Sequence, residues 1–150
     1  MNTNKKSIVL HLMAVILAIV VIIPFSASAE EAGNIQPYAS YYLDGYNAYV
    51  YLPGDGEVRV YFDVSGTGYM DEIGALFIEI YESTDGLNWN KVKTFNHYST
   101  SGMLGYNDFS HSGHVSYDGT KGNYYKAYVC VWAGEDGDGD NRYFWTSAKH

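Results

Sequence analysis

The chain has 150 residues, 47% of them hydrophobic and 17% aromatic, and sets 17 acidic residues against 9 basic ones for a formal net charge of −8. A surface this acidic repels nucleic-acid phosphates and anionic lipid headgroups, and the lysines and arginines are scattered, so neither is expected as a partner. With Cys130 as its single cysteine the chain has no internal disulfide, and its fold must rest on an apolar core.

The first element reads as a secretory signal. Lys5 and Lys6 precede an apolar run over residues 8–23 that only His11 interrupts, Pro24 ends the run, and Ala27-Ser28-Ala29 offers small residues to a signal peptidase. Cleavage is expected between Ala29 and Glu30. An uncleaved anchor is the alternative, but the run falls short of the roughly 20 residues that a spanning helix needs. Removing residues 1–29 takes away Lys5 and Lys6 and no acid, which deepens the charge from −8 to −10. What remains is a single-domain length, expected outside the cell. No lipobox cysteine or wall-sorting tail is apparent, so free release is expected and no membrane partner after cleavage. Residues 30–37, "EEAGNIQP", are polar and aperiodic and read as a disordered leader to a domain over residues 38–150.

Beyond the leader the hydrophobic period is two. In "VRVYFDV" Val58, Val60, Phe62 and Val64 share one face, and in "LFIEIYE" Leu76, Ile78 and Ile80 do the same. Similar runs occupy residues 47–52, 89–95, 114–117, 124–133 and 142–146. Between them stand turn signals: "PGDG" at 53–56, "SGTG" at 65–68, "STDG" at 83–86, "DGTKGN" at 118–123 and "EDGDGDN" at 135–141. No segment carries a helical stripe. The pattern predicts an all-β domain, an antiparallel β-sandwich of about seven or eight strands, with a small β-barrel as the alternative.

"YESTDGLNWNKV" predicts a hairpin turning at Asp85-Gly86. Its Ser83, Asp85, Gly86 and Trp89 resemble a shortened aspartate-box hairpin of sialidase propellers, which implies a structural role, with Ser and Asp side chains bonding the turn backbone and the Trp packing beneath. In "GNYYKAYVCVW", Tyr125, Ala127 and Val129 resemble the sixth strand of fibronectin type III and other immunoglobulin-like sandwiches. Taken with "GTGYMDEIG", "IEIYESTDGLNW" and the "IQP" that follows the signal, the chain resembles a family of small exported proteins of Gram-positive gut Firmicutes grouped as a domain of unknown function. That resemblance implies a secreted β-rich domain and transfers no catalytic residue.

Three features bear on function. The longest gap, residues 96–113, is polar and reads as a loop; His97, His111 and His114 lie in or beside it, and loop histidines in H-x-x-H spacing are able to face one zinc ion, but without an H-E-x-x-H helix or a cysteine pair they are read as ordinary surface histidines. In "AGEDGDGDNRYFW", Asp136, Asp138 and Asp140 alternate with glycines in the 1, 3, 5 spacing of a calcium loop, with Glu135 as a further oxygen donor; against that, Ser147 stands where an EF-hand needs a bidentate Glu, and a solvated turn explains the stretch as well. No cofactor is expected, with calcium as the alternative. Finally, 16 tyrosines and 3 tryptophans exceed what a core of this size hides. Tyr49, Tyr51, Tyr61, Trp132 and Trp145 are the expected ligand-binding residues, since exposed rings beside carboxylates suit sugar rings. Cross-strand packing is their structural alternative.

No G-x-S-x-G elbow, S-x-x-K or H-E-x-x-H motif is present, so no catalytic residue is assigned. The expected function is a secreted, non-enzymatic binding or surface-interaction module for an extracellular glycan or cell-surface protein. The alternatives are a small secreted hydrolase using loop carboxylates and His111, or a secreted toxin, inhibitor or immunity factor.

Overall fold

The computed structural model describes residues 40–150, so the signal sequence, the Ala29 to Glu30 cleavage point and the 30–37 leader lie outside the described residues. The regular elements among these residues are six strands: β1 (Leu43–Gly54), β2 (Glu57–Ser83), β3 (Asn90–Asn96), β4 (Leu104–Asp118), β5 (Tyr124–Glu135) and β6 (Asp138–Trp145). Every pairing is antiparallel. The all-β, antiparallel character thus stands, in the form of one curled six-stranded sheet.

The sheet is organised by β2, which runs for 27 residues. Its first part pairs β1 on one side and β4 on the other, and its second part pairs β5 on the first side and β3 on the second. β6 then extends the sheet from β5. Curling folds the two parts of β2 over a common core. Val58, Val60, Phe62 and Val64 of the first part, Ile78 and Ile80 of the second, and Ala127, Val129 and Val131 of β5 are all buried there. Burying each such valine or isoleucine contributes about 1.5–3 kcal/mol, which lets a disulfide-free domain hold together.

Two sequence expectations change here. The "SGTG" segment does not reverse the chain: between the pairs Ser65↔Ser110 and Met70↔Asp108, four residues of β2 stand opposite Phe109 alone, so the segment is a wide bulge inside one strand. Its amide and hydroxyl find partners in the chain before β1, where the Thr67 N–H donates to Tyr42 O at 2.9 Å and Thr67 Oγ1 to Tyr41 O at 2.6 Å. The two runs read as separate strands are therefore halves of β2. The second change concerns the expected long loop at 96–113, of which residues 104–113 belong to β4.

Two of the Asp-Gly hairpin turns behave as their residues require. Asp55 and Gly56 carry φ of 54° and 87° between the pair Gly54↔Glu57, and Asp136 and Gly137 carry 53° and 82° between Glu135↔Asp138. Positive φ at both central positions is the type I′ pattern, whose twist matches the flanking strands. The "STDG" turn is held by its side chains instead. Ser83 Oγ accepts from the Gly86 N–H at 2.9 Å, and Asp85 accepts from the Leu87 and Asn88 N–H groups at 2.9 and 2.8 Å and from Asn88 Nδ2 at 2.7 Å.

These donors, the Asn88 amide first, hold the Asp85 carboxyl well below the usual carboxylate range. A depressed folded-state pKa adds stability that is present above the unfolded value, about 4, and disappears as pH falls through the folded value. Asp85→Ala should therefore lower the melting temperature at pH 7, and the gap between variant and wild type should narrow by pH 3. Scanning calorimetry at the two pH values checks this.

Candidate functional site

The outer face of β1, β2 and β4 brings the expected tyrosines together. Register aligns three rows across the strands: Asn47, Asp63 and Ser112; Tyr49, Tyr61 and His114; Tyr51, Arg59 and Ser116. Residues directly opposite one another in an antiparallel sheet point to the same side, and rows two residues apart repeat about every 7 Å. In the middle row Tyr49 stacks on Tyr61 with centroids 5.2 Å apart and planes 11° apart, and Tyr61 stacks on His114 at 5.1 Å. Tyr51 meets Tyr61 edge-on at 6.3 Å. Tyr49 and Tyr51 are each about half exposed.

Beside this aromatic row lies a groove of about 340 Å³ lined by Asn47, Tyr49, Tyr61, Asp63, Ser112 and His114. On the other side of the row Arg59 is fixed by Glu57, with Nε donating to Oε1 at 2.7 Å. That bond, first among the causes, holds the Glu57 carboxyl below its ordinary value. The site is thus a row of rings stacked on one another between two rows of hydrogen-bonding groups. The rings can offer apolar surface, and the amide, carboxylate, hydroxyl and guanidinium can offer hydrogen bonds.

Trp145 lies elsewhere, on the outer face of β2, β5 and β6, where its ring meets Tyr81 and Tyr128 with centroids 4.9 Å away in each case. Trp132 packs over the hairpin of β5 and β6. A Cβ added at Gly139 would sit 2.5 Å from the Trp132 ring, and one at Gly134 would sit 2.6 Å from it, so this indole roofs the two glycines across β5 and β6. The glycines of the acidic stretch are therefore divided between turn geometry at Gly137 and space for Trp132 at Gly139.

The aspartates of that stretch are spread over the hairpin. Asp136 is at the turn, with its N–H donating to Asp71 Oδ2 at 2.8 Å. Asp140 clamps the chain before β1: its Oδ2 accepts from Ser40 Oγ at 2.5 Å and from the N–H groups of Tyr41 and Tyr42 at 2.9 and 3.1 Å. The Ser40 hydroxyl, with those amides, holds the Asp140 carboxyl below its usual range. Asp138 lies near Tyr42, whose phenol is raised by desolvation and then by that carboxylate. Among the described residues no three His, Cys, Asp or Glu side chains gather where they could hold a metal ion.

The histidines separate because β4 replaces the expected loop. His111 is partnered with Val64 and turns inward, packing on Phe62 with its Nε2 donating to Gly102 O at 2.9 Å, whereas His114 is partnered with Tyr61 on the outer face. Residues three apart in a strand point to opposite sides, so the pair cannot share one ion. His97 packs against Tyr98 in the turn after β3, with the two ring planes tilted by 40°. Cys130 is buried, and desolvation pushes its thiol up, as suits an inert packing residue.

Compared with family models, curated proteins and solved structures, the chain finds no match in any of the three.

Proposed function

We propose that this chain is a secreted, non-enzymatic module that binds an extracellular glycan on the outer face of β1, β2 and β4. The observation that carries the reading is the alignment of the Tyr49, Tyr61 and His114 row between the two polar rows, beside a groove lined by Asn47, Asp63 and Ser112. Tyr49, half exposed at the end of the stack, offers a platform to the C–H face of a pyranose ring, whose hydroxyls then reach polar groups on the flanks. Asp63 in the groove, on a domain this acidic, favours a neutral sugar over an anionic one. Relationship to the exported family named above, and to immunoglobulin or fibronectin-like sandwiches, belongs to the same proposal; burial of Tyr125, Ala127 and Val129 on β5 supports the latter.

Affinity electrophoresis through gels carrying neutral polysaccharides tests this reading. Wild-type protein should be retarded by at least one of them, and Tyr61→Ala, which removes the middle of the stack, should lose the retardation while melting cooperatively. Uniform migration across a broad neutral panel would sink the proposal.

A further inference from the structure

The outer face of β2, β5 and β6 forms a second aromatic surface, built from residues other than those of the groove. Register sets Phe77, Cys130 and Tyr143 in one row, Glu79, Tyr128 and Trp145 in the next, and Tyr81 with Lys126 in a third. Phe77 lies 6.1 Å from Tyr128 and 5.9 Å from Tyr143, and Tyr128 stacks on Tyr143 at 6.2 Å. With the Trp145 contacts given above, the rings form one continuous field. Tyr143 and Trp145 are each about half exposed.

The charge of this face is opposite to that of the domain. Residues 40–150 keep all the acids but Glu30 and Glu31 and all the bases but Lys5 and Lys6, and so remain strongly anionic. On the aromatic field, however, Glu79 is neutralised by Lys91, whose Nζ lies 2.8 Å from its Oε1. That leaves Lys126 as the uncompensated charge. Its ammonium is held over Trp89 at 4.3 Å and over Trp145 at 4.5 Å, and among the described residues it has neither a carboxylate within salt-bridge distance nor a hydrogen-bond acceptor. Two indoles therefore fix a cation whose N–H donors remain free for an outside acceptor.

We infer that this face is a second binding site, selective for an acidic polysaccharide of the polyuronate class, with the field from Trp145 to Tyr143 stacking the sugar rings and Lys126 taking a ring carboxylate. Charge complementarity selects the anion, because an anionic chain is repelled by the rest of this surface and meets a positive charge here. The continuous run of rings favours a glycan over an acidic peptide, since a chain of pyranoses presents stacking faces in series. The site is independent of the groove and takes a ligand of different charge. A module carrying both would bridge neutral and acidic polymers.

The test uses the purified protein in gels carrying polygalacturonate, its fully methyl-esterified form, or poly-L-glutamate, alongside tryptophan fluorescence titration. Polygalacturonate should retard the protein and perturb the emission of Trp89 and Trp145, and the methyl ester should act at least tenfold more weakly. Lys126→Met, which keeps the stem and removes the charge, should weaken binding at least tenfold, as should Trp145→Ala. Tyr61→Ala should leave polyuronate binding intact, which separates this site from the groove. The inference is overturned by an unretarded wild type, by equal retardation of Lys126→Met, by equal binding of the methyl ester, which would mark a platform for neutral sugars, or by equal binding of polyglutamate, which would mark a general polyanion patch.

Discussion

Gly74→Ala is expected to remove several kcal/mol of stability, enough to leave a large fraction of the protein unfolded at 37 °C. Gly74 lies in β2 where β4 and β5 flank it on opposite sides, partnered with Leu104 and Trp132, and its φ is 144°. A side chain there is strained by about 1–3 kcal/mol whatever space it has. Space is lacking as well: the new Cβ would overlap the Met103 carbonyl oxygen and lie 3.0 Å from His111 Cδ2 and 3.1 Å from Leu104 Cα. That same Met103 oxygen accepts the Ala75 N–H at 2.8 Å, so backing away breaks a bond at the centre of the sheet. Overpacking typically adds about 1–3 kcal/mol, and the sum is a large share of the roughly 5–15 kcal/mol that holds a domain folded. Gly122→Ala is the control, because its φ of 86° brings strain while nothing lies within 4 Å of the added Cβ. Urea unfolding of the two variants should show a midpoint loss for Gly74→Ala at least twice that of the control, with the slope unchanged.

Tyr125→Phe is expected to cost about 1–3 kcal/mol, through a part-buried acceptor left short of its donor. The Tyr125 side chain is 2% exposed, and its hydroxyl donates to Glu82 Oε1 at 2.5 Å while accepting from the Thr120 N–H at 2.6 Å. Asn123 Nδ2 also donates to that Glu82 oxygen, at 2.9 Å, so one phenol ties β2 to the turn between β4 and β5. Burial, followed by the bond to Glu82, pushes the Tyr125 phenol up to about 12. A folded-state pKa above the unfolded value of about 10 gives stability that is complete below pH 10 and drains away as pH rises through 12. Wild type should accordingly lose stability between pH 10 and 12, and Tyr125→Phe should lose less over that interval. Denaturant midpoints at pH 7, 10 and 11.5 check both statements.

Much of the fold was legible because the sheet has one dry face. The alternation from Val58 to Val64 marks four core residues, all of them buried, and the period of two that sets them inward sets Tyr61 on the other face. Where the ladder slips, alternation misleads. Leu76 is only half-buried because it is the extra residue between the pairs Ala75↔Val131 and Phe77↔Cys130. The glycines at 66 and 68 were read as a turn, since nothing local tells a wide bulge from a reversal; the distinction depends on Thr67 finding Tyr41 and Tyr42 distant in sequence. The sites divide in the same way. The tyrosines of the groove could be named from their own strands, but Asn47, Ser112 and His114 join them only through register. Trp145 was named without its neighbours, because Tyr81, Tyr128 and Lys126 come from two other strands. Trp132 was taken for a ligand contact, and its roofing of Gly134 and Gly139 depends on the pairing of β5 with β6.

The grip of Asp140 on Ser40, Tyr41 and Tyr42 has a consequence for how the chain comes to its shape. These bonds join positions 98 to 100 residues apart, so the first described residues are secured by the final strand. Contacts so distant in sequence must wait on a large loss of chain entropy, and they set a slow clock for β-proteins. Thr67 of β2 reaches Tyr41 and Tyr42 from nearby, but the hold of Asp140 on Ser40 and on those two amides is added only when β6 has joined the sheet. A chain cut short before β6 therefore keeps the Thr67 contacts and loses the Asp140 clamp, so its first residues are held by β2 alone.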